Sequence, residues 1–498
     1  MVVEVLIVGA GPTGLVLALT LDKFGVPFKM IEKKASPDEI SKAMLVVPGT
    51  LEHYSQLGLV DNVLENGLEP EKIVVHNPKE KLELDFEAYR TQLSRYSRLF
   101  TYPQDEHERF LIQELENRGH TIHWNTSFEG LNQKPNEITV QLKTDEETFS
   151  EIFTYVVGAD GGSSAVRKAV GIAFEGETNE QIFFVADAEL ANEDLQGKVA
   201  HFFITRQNFL LAFPLSNQTT KRLIGIIPEE LVENDKKSME HMAPIFEEHF
   251  GIEIAESQWF SEYKVHHRLA ESFKVGNVFL AGDAAHVHSP VGGQGMNAGI
   301  ADAVNLGWKL AHVIKGESLK QLLYTYHEER SEFAEKLVST TDRAFKVVTA
   351  DNPIVSQLRS RLITTLADFV LNKTDRLSDV LFKTISQMAI QYEKTSLNAE
   401  GVRNKLLGSR LPYNKNNLDY TDEMEWHVQV YGQIDADFEV FLDEHNLPHY
   451  EITWEDSMND SHFLPNTAYL IRPDGYIAWV SEKQDVESIA SYLQKWRI

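Results

Sequence analysis

Short apolar runs alternate with stretches of helical spacing over the first part of the chain. Val3–Val8 is mostly apolar and shows no strict alternation, which predicts a strand buried on both faces. Thr13–Phe24 then places apolar residues at helical spacing, and Pro27–Ile31 is a second apolar run. Strand, helix and strand follow each other within about 30 residues, the size of a βαβ unit. Glu106–Arg118, after Pro103, predicts a helix. Tyr155–Val157 and Asn277–Ala281 predict two more buried strands, each followed by a Gly/Asp cluster, and Gln294–Ile314 predicts a long helix. Between residues 175 and 270 the pattern changes. Phe202–Phe213 is rich in aromatic and branched residues, and SNQTTK (Ser216–Lys221) separates it from Arg222–Ile227, as in a hairpin of an antiparallel sheet. Phe203, Phe209 and Phe213 share one parity, so a continuous strand would place them on one face.

Another break falls near Ser396–Pro412. Beyond it, Trp426–Tyr431 and Ala468–Ile471 read as strands and Asp485–Trp496 as a closing helix. The expected fold is α/β: a Rossmann-like domain with an inserted antiparallel-sheet domain and a C-terminal α/β domain. The expected boundaries are 1–174 and 271–395 for the two halves of the first domain, 175–270 for the insert and 400–498 for the last.

Charge narrows the partners. Lys+Arg total 47 against 75 Asp+Glu, a formal charge of −28. Such a surface repels phosphate backbones and anionic lipid, so neither nucleic acid nor a membrane surface is an expected partner. From Asn416 to Ile471 there is no Lys or Arg and there are thirteen acidic residues, which reads as a solvated face. The chain has no cysteine, which removes disulfides, thiolate nucleophiles and thiolate metal sites. The apolar N-terminus lacks a basic n-region and is broken by Gly9, Gly11, Pro12 and Gly14. No run approaches the roughly 18 apolar residues of a membrane span. The reading is a cytoplasmic protein.

Three clusters carry chemistry. GAGPTG holds Gly9, Gly11, Pro12, Thr13 and Gly14 between strand and helix, where backbone N–H groups approach a pyrophosphate. Glu32, at the end of the next strand, is placed to accept from ribose hydroxyls. FAD, NAD and NADP all remain open on this loop, and Lys33 and Lys34 suit even the 2′-phosphate of NADP. The second cluster, VVGADGGSSAVR (Val156–Arg167), delivers Asp160 and Gly161 from a strand end into a turn. The third is VFLAGDAAHVHSPVGGQGMNAGIADAVNLGWKL (Val278–Leu310). Its strand ends at Gly282-Asp283, where a carboxylate suits a polyol hydroxyl. After Pro290 come Val291, Gly292, Gly293 and Gly295, then Met296 and Asn297. This helix start offers bare N–H groups and a positive dipole end to an anionic ring. His286 and His288 show no metal-ligand pattern, and no metal is expected.

These clusters, in this order and spacing, resemble the single-component (class A) FAD-dependent aromatic hydroxylases, the p-hydroxybenzoate and phenol hydroxylase-like group. The resemblance covers roughly residues 1–390. It implies FAD at the opening loop with Glu32 on the adenosine ribose and Lys33 beside it. It implies that Gln104 contacts the flavin, that Asp160-Gly161 serve FAD and NAD(P)H, and that Asp283 binds the ribityl chain. It also implies that Pro290 to Asn297 lie beside the isoalloxazine, and that Arg268 is an arginine commonly found before the third motif. Lys42 stands where many relatives carry arginine, keeping a charge for the pyrophosphate without the bidentate fork, and Gly49 stands where they carry another. Residues 400–498 resemble the thioredoxin-like domain of longer members, here without redox cysteines and so suited to packing or oligomerisation, with a homodimer open.

The activity implied is a monooxygenase in which NADPH or NADH reduces FAD transiently and O₂ forms a flavin C4a-hydroperoxide that hydroxylates an aromatic, phenolic or polyketide-like small molecule. An antibiotic-inactivating monooxygenase of the tetracycline or rifamycin type is the alternative. A halogenase is disfavoured because W-x-W-x-I-P is absent. Another flavin oxidoreductase, such as a C=C reductase, or a non-catalytic scaffold is further from the pattern. Phe203, Phe213, Pro290, Val291 and Gly292 are the expected substrate contacts. His267, Arg268 and Pro290 are the only catalytic candidates, and no base is assigned.

Overall fold

Val5–Val8 is a central strand of a six-stranded sheet, and all four of its residues are buried. The strand order is Lys274–Val275, Val278–Leu280, Tyr155–Gly158, Val5–Val8, Phe28–Ile31 and Ile122–His123. Every pair is parallel except that of Lys274–Val275 with Val278–Leu280. Buried parallel strands need apolar residues on both faces, which is why these runs show no alternation. The helices Pro12–Lys23 and Gly295–Ile314 pack on each other, and the second is buried without interruption from Asn297 to Ala311. The computed structural model describes residues 4–39, 43–76, 81–85, 94–96, 98–205, 209–288, 293–349 and 385–498. Lys42, Pro290, Val291 and Gly292 lie outside the described residues.

The second sheet has eight strands and reaches beyond residues 175–270. Long strands Phe174–Leu190 and Ile254–Ala270 pair with each other and are flanked by His286–Val287 on one side. On the other lie Thr220–Ile226, Phe209–Pro214, Val199–Ile204, Lys72–His76 and Lys81–Asp85. The Phe202–Phe213 run is therefore two strands, paired Ile204 to Phe209 and Phe202 to Leu211. This corrects the shared-face expectation. Phe203 lies opposite Leu210, on the face covered by helix Met239–Phe250, and packs against Phe250. Phe209 and Phe213 take the other face, where Phe183, Phe209 and Val265 are buried beside Leu211, Ile226 and Tyr263. A third sheet, Ser127–Lys134 with Glu137–Lys143 and Thr148–Phe153, was not anticipated from the pattern.

The C-terminal part is a four-stranded sheet in the order His449–Ile452, His427–Tyr431, Thr467–Ile471, Ile477–Ser481. The first two strands are parallel and joined through helix Ala436–Glu444. The others are antiparallel and lead to helix Val486–Trp496, capped by the Asp485 carboxylate on two backbone N–H groups. Its core is continuous with the long helix, because Trp308 packs among Trp426, Trp479 and Trp496. Buried ions also cross this boundary. Glu329 accepts from Lys309 at 2.7 Å and from Arg472 at 2.8 Å, and Arg472 meets Asp474 at 2.6 Å. Arg410 meets Glu52 at 2.7 Å. Burial opposes ionisation of Glu329, yet Arg472 and Lys309 hold its carboxyl down at about 2.

Candidate active site

The three clusters converge because their strands are neighbours. Val8, Gly158 and Leu280 stand level in register, so all three turns leave the same carboxyl edge of the sheet. In open α/β sheets this edge is where ligands bind. The glycines of the first turn serve three different needs. Gly9 has φ +109°, and a Cβ there would lie 2.3 Å from the carbonyl oxygen of Ala159. A Cβ on Gly14 would lie 2.0 Å from the carbonyl oxygen of Gly9. A Cβ on Gly11 would meet no protein atom within 4 Å, so Gly11 faces the open mouth. Glu32 closes the turn from below, accepting from the N–H of Ala10 (3.0 Å) and of Lys34 (3.1 Å). Each carboxylate oxygen keeps acceptor capacity for a ribose. Lys33 is exposed beside it. Thr13 fills a groove between Gly282 and Gly299, where a Cβ would lie 2.5 and 2.2 Å from its hydroxyl.

The second turn is built around Asp160, whose Oδ2 accepts from the N–H of Ala165 (2.6 Å) and Val166 (3.1 Å) and so caps helix Ala165–Ala169. Gly161 beside it has open space at its Cβ. Arg167 ties this turn to the third, donating to the carbonyls of Gly162 and Ala284 at 2.7 Å each. In the third turn Gly282 is buried while Asp283 is exposed at the strand end, as a ribityl ligand needs. Asp302 fixes this turn from the long helix. It accepts from the Gly282 N–H (2.9 Å) and from Arg330 (2.6 Å), and lies 2.8 Å from His286 Nε2. Burial alone would raise the Asp302 carboxyl, but Arg330 and His286 hold it below its usual range. Arg330 also donates to Tyr392 at 2.9 Å, linking the turn to the segment that precedes the C-terminal part. Asp302 and Arg330 were missed from the sequence. The signal was Asp302, Asn305 and Lys309, polar residues at helical spacing in the middle of a largely apolar helix.

Among the described residues helix Gly295–Ile314 has no side-chain cap at Gln294, and a helix start of this kind presents first-turn N–H groups, here those of Gly295 and Met296, toward an anion. Gly293 borders this start, and a Cβ there would lie 2.9 Å from Leu45. The Asn297 side chain serves the protein itself. It donates to the carbonyls of Leu45 (2.8 Å) and Gly293 (2.9 Å) and accepts from Val47 N–H (3.2 Å) and Thr50 (2.7 Å). With its amide engaged by these four partners, Asn297 can reach a flavin only through its backbone, in keeping with a helix start that offers N–H groups. Gln104 accepts from Ala43 N–H (3.3 Å) and donates to Glu108 (2.7 Å), whose carboxyl burial pushes up to about 7. Gly49 donates its N–H to Ser386, and a Cβ there would lie 3.0 Å from that oxygen. A side chain at position 49 would press on the chain at Ser386 and Gln387, which would have to give by a few tenths of an ångström.

The sheet face bearing Phe209 and Phe213 also bears a polar cluster. Arg222 donates to both oxygens of Asp187 at 2.8 and 2.7 Å, and Trp259 Nε1 donates to Asp187 at 2.7 Å. A cavity of about 180 Å³ separates this cluster from Pro103 and Glu106 at the start of helix Gln104–Asn117. His267 is buried in strand Ile254–Ala270 opposite Glu177, on the same face as Tyr263 and Val265. Arg268 donates to Thr178 at 3.0 Å. Neither is placed as a base by these contacts.

An open phosphate mouth at Gly11, an exposed Asp283, an uncapped helix start and a half-buried Glu32 fit FAD as a donor and acceptor set. The family model described as FAD binding domain matches residues 2–341. Pentachlorophenol 4-monooxygenase of Sphingobium chlorophenolicum is 34% identical over 69% of this chain and 64% of its own length. Rifampicin monooxygenase of Streptomyces venezuelae is 30% identical over 99% of this chain and 98% of its own. An anhydrotetracycline hydroxylase from Streptomyces rimosus superposes with a TM-score of 0.79 at 26% identity, covering 100% of this chain and 99% of its own. A flavin-dependent monooxygenase solved with FAD and substrate has the same fold, with a TM-score of 0.82 at 20% identity over 99% of both chains. The chain belongs to the FAD-binding domain family. Within it, the chain is a flavoprotein of the monooxygenase class. Among the described residues no helix is long and apolar enough to cross a membrane.

Proposed function

We propose that this protein uses NAD(P)H and O₂ to hydroxylate an aromatic, phenolic or polyketide-like small molecule. The observation that carries the reading is the convergence of the three turns and the Gly295 helix start on one sheet edge, together with an aromatic face on the second sheet. Gly9–Gly14 and Glu32 hold the adenosine and pyrophosphate end of FAD, Asp283 the ribityl chain, and the N–H groups at Gly295 and Met296 the anionic edge of the ring. Bound FAD supplies the redox chemistry and oxygen activation. The protein's role is to fix the ring, stabilise its negative charge with the helix start, and keep water from the reacting atoms. The Tyr263–Phe209 face supports the reading of a dry wall on the substrate side, with Phe213 next to it. Residues 400–498 have the β-α-β-β-β-α order of a thioredoxin-like unit, and their buried ion pairs support a role in bracing the flavin-binding helices. A homodimer and a cytoplasmic location complete the reading.

The test is spectroscopic and then chemical. The purified protein is expected to be yellow and to release FAD on denaturation. A panel of phenols, polyketides, tetracyclines and rifamycins is then assayed for substrate-dependent NAD(P)H oxidation, O₂ uptake and a product heavier by one oxygen atom. A flavin-free protein, or NAD(P)H loss that never yields an oxygenated product, sinks the proposal.

A further inference from the structure

The face that carries Phe183, Phe209 and Tyr263 changes character along its strands. Asp187 lies four residues beyond Phe183, Arg222 four before Ile226, and Trp259 four before Tyr263, so all three share that face some 13 Å from the aromatic patch. Asp187 pairs with both Arg222 and Trp259 in register. Arg222 and Asp187 are 2% and 5% exposed, and their two hydrogen bonds form a closed bidentate fork. The Trp259 indole donates to the same carboxylate, and the guanidinium lies 5.5 Å from the Trp259 ring centre.

This cluster floors the 180 Å³ cavity, and across it stands the start of helix Gln104–Asn117, with Asp105 and Glu106. Among the described residues Arg222 is the only cation lining the cavity, against Glu39, Asp105, Glu106 and Asp187. A carboxylated ring entering here would shed its hydration and find one cation, already neutralised by a bidentate partner. Taking that cation would strand the Asp187 carboxylate in a buried site, which desolvation strongly opposes. A neutral ring meets neither difficulty and finds polar groups in the lining at Ser216, and at Asn217 and Gln258, whose amides also bond Thr220.

We infer that the Asp187–Arg222 pair is a specificity device that rejects carboxylate-bearing aromatic substrates and admits uncharged ones. The inference rests on the proposed function, because it makes this cavity part of the substrate site. Asp187 is then a specificity-determining residue with no part in the oxygen-transfer step. Asp187→Asn keeps the shape and the Trp259 contact but removes the neutralising charge from Arg222.

The experiment uses the FAD-loaded protein and matched pairs that differ only in charge: 4-hydroxybenzoate and 4-hydroxybenzamide, salicylate and salicylamide, 1-hydroxy-2-naphthoate and its amide. Binding is read as perturbation of the flavin absorption spectrum, with no turnover. The wild-type protein is expected to bind each amide at least about tenfold more tightly than its acid, a difference of about 1.4 kcal/mol. Asp187→Asn is expected to shift that ratio toward the acid by about tenfold or more, which again is about 1.4 kcal/mol. Should that variant fail to fold, the wild-type ratio alone carries the test. A wild-type protein that prefers the acids overturns the inference, as does a variant with an unchanged ratio. Absence of any spectral response also counts against it, since the cavity would then admit no ring. The FAD content and product assay of the proposed function stand or fall separately.

Discussion

Asn297 is the position where a side-chain flavin contact and a structural clasp make opposite forecasts. The side chain is wholly buried and its amide is saturated by four protein partners: Leu45, Val47, Thr50 and Gly293. It therefore sews the strand Leu45–Val46 and the first turn of helix Pro48–Gln56 to the start of helix Gly295–Ile314. Asn297→Ala removes all four bonds. At a net value of about 1 kcal/mol each the loss is about 4 kcal/mol, and groups left dry push it higher. Unfolding entropy of about 2.1 cal/mol/K per residue gives about 1 kcal/mol/K for this chain, so the melting midpoint should fall by about 4 °C. Asn297→Asp should fall further, because a carboxylate oxygen would face the carbonyls of Leu45 and Gly293 where an NH₂ now donates. The assay is circular dichroism melting of the FAD-free protein, with FAD affinity measured separately. Both readings expect weaker FAD binding, so only the FAD-free melt discriminates. A midpoint unchanged to within about 1 °C, with FAD affinity still down tenfold, would refute the clasp and restore Asn297 as a cofactor ligand.

Other perturbations follow from the same geometry. Gly11→Ala should fold normally and lose FAD, since its Cβ projects into the open mouth, whereas Gly14→Ala should lower the stability of the FAD-free protein through its clash with the Gly9 carbonyl. Comparing FAD content with the FAD-free melt separates the two, and equal destabilisation would contradict the assignment. Burial raises the Glu108 carboxyl from 4.5 to about 7, so the folded state holds that proton more tightly than the unfolded chain. The stability this contributes is complete below about pH 4.5 and is lost as pH rises through 7. Glu108→Gln should abolish that dependence and stabilise the protein at pH 8 by up to about 3 kcal/mol, read by urea titration at several pH values. Arg472→Met leaves Asp474 without its cation and Glu329 with Lys309 alone, and should cost about 3–5 kcal/mol. Limited proteolysis should then release the C-terminal part, and a variant as resistant as wild type would show that the pair braces nothing.

Much of the first domain is legible in the sequence because its signals are local. A buried parallel strand writes itself as an apolar run, and the three strands around Ile7, Val157 and Phe279 all read correctly. The glycine turns are legible for the same reason, since backbone approach admits no side chain at Gly9 or Gly14. What failed depended on neighbours distant in sequence. Parity placed Phe203 with Phe209 and Phe213, but counting residues is valid only along an unbroken strand. One strand ends at Ile204 and the next begins at Phe209, and the count across that break puts Phe203 on the wrong face. The place of Asn297 at a helix start fixes its backbone and says nothing about four partners brought by Leu45–Thr50 and Gly293. The ionic brace failed differently. Its members are scattered from Glu52 to Asp474, and only their burial makes them exceptional.

The brace also alters how the C-terminal part is to be understood. Lacking cysteine, residues 400–498 suggest a passive appendage from composition alone. Yet Lys309 and Asn305 project from the same helix whose first turn is proposed to face the flavin ring, and Arg330 joins Asp302, beneath the Gly282-Asp283 turn, to Tyr392. Helix Pro48–Gln56 is gripped likewise, by Arg410 on Glu52 and by Gln56 donating to the carbonyls of Thr421 and Pro473. Two helices whose N-termini meet at Asn297 are thus both tied from behind to the C-terminal part. Buried ion pairs gain little stability over apolar packing, but they tolerate very little displacement, because each loses its partner when it moves. A fastening of that kind suits the proposed site, whose N–H groups would have to stay aimed at one edge of a ring, and it supports the proposal that the C-terminal part braces that site.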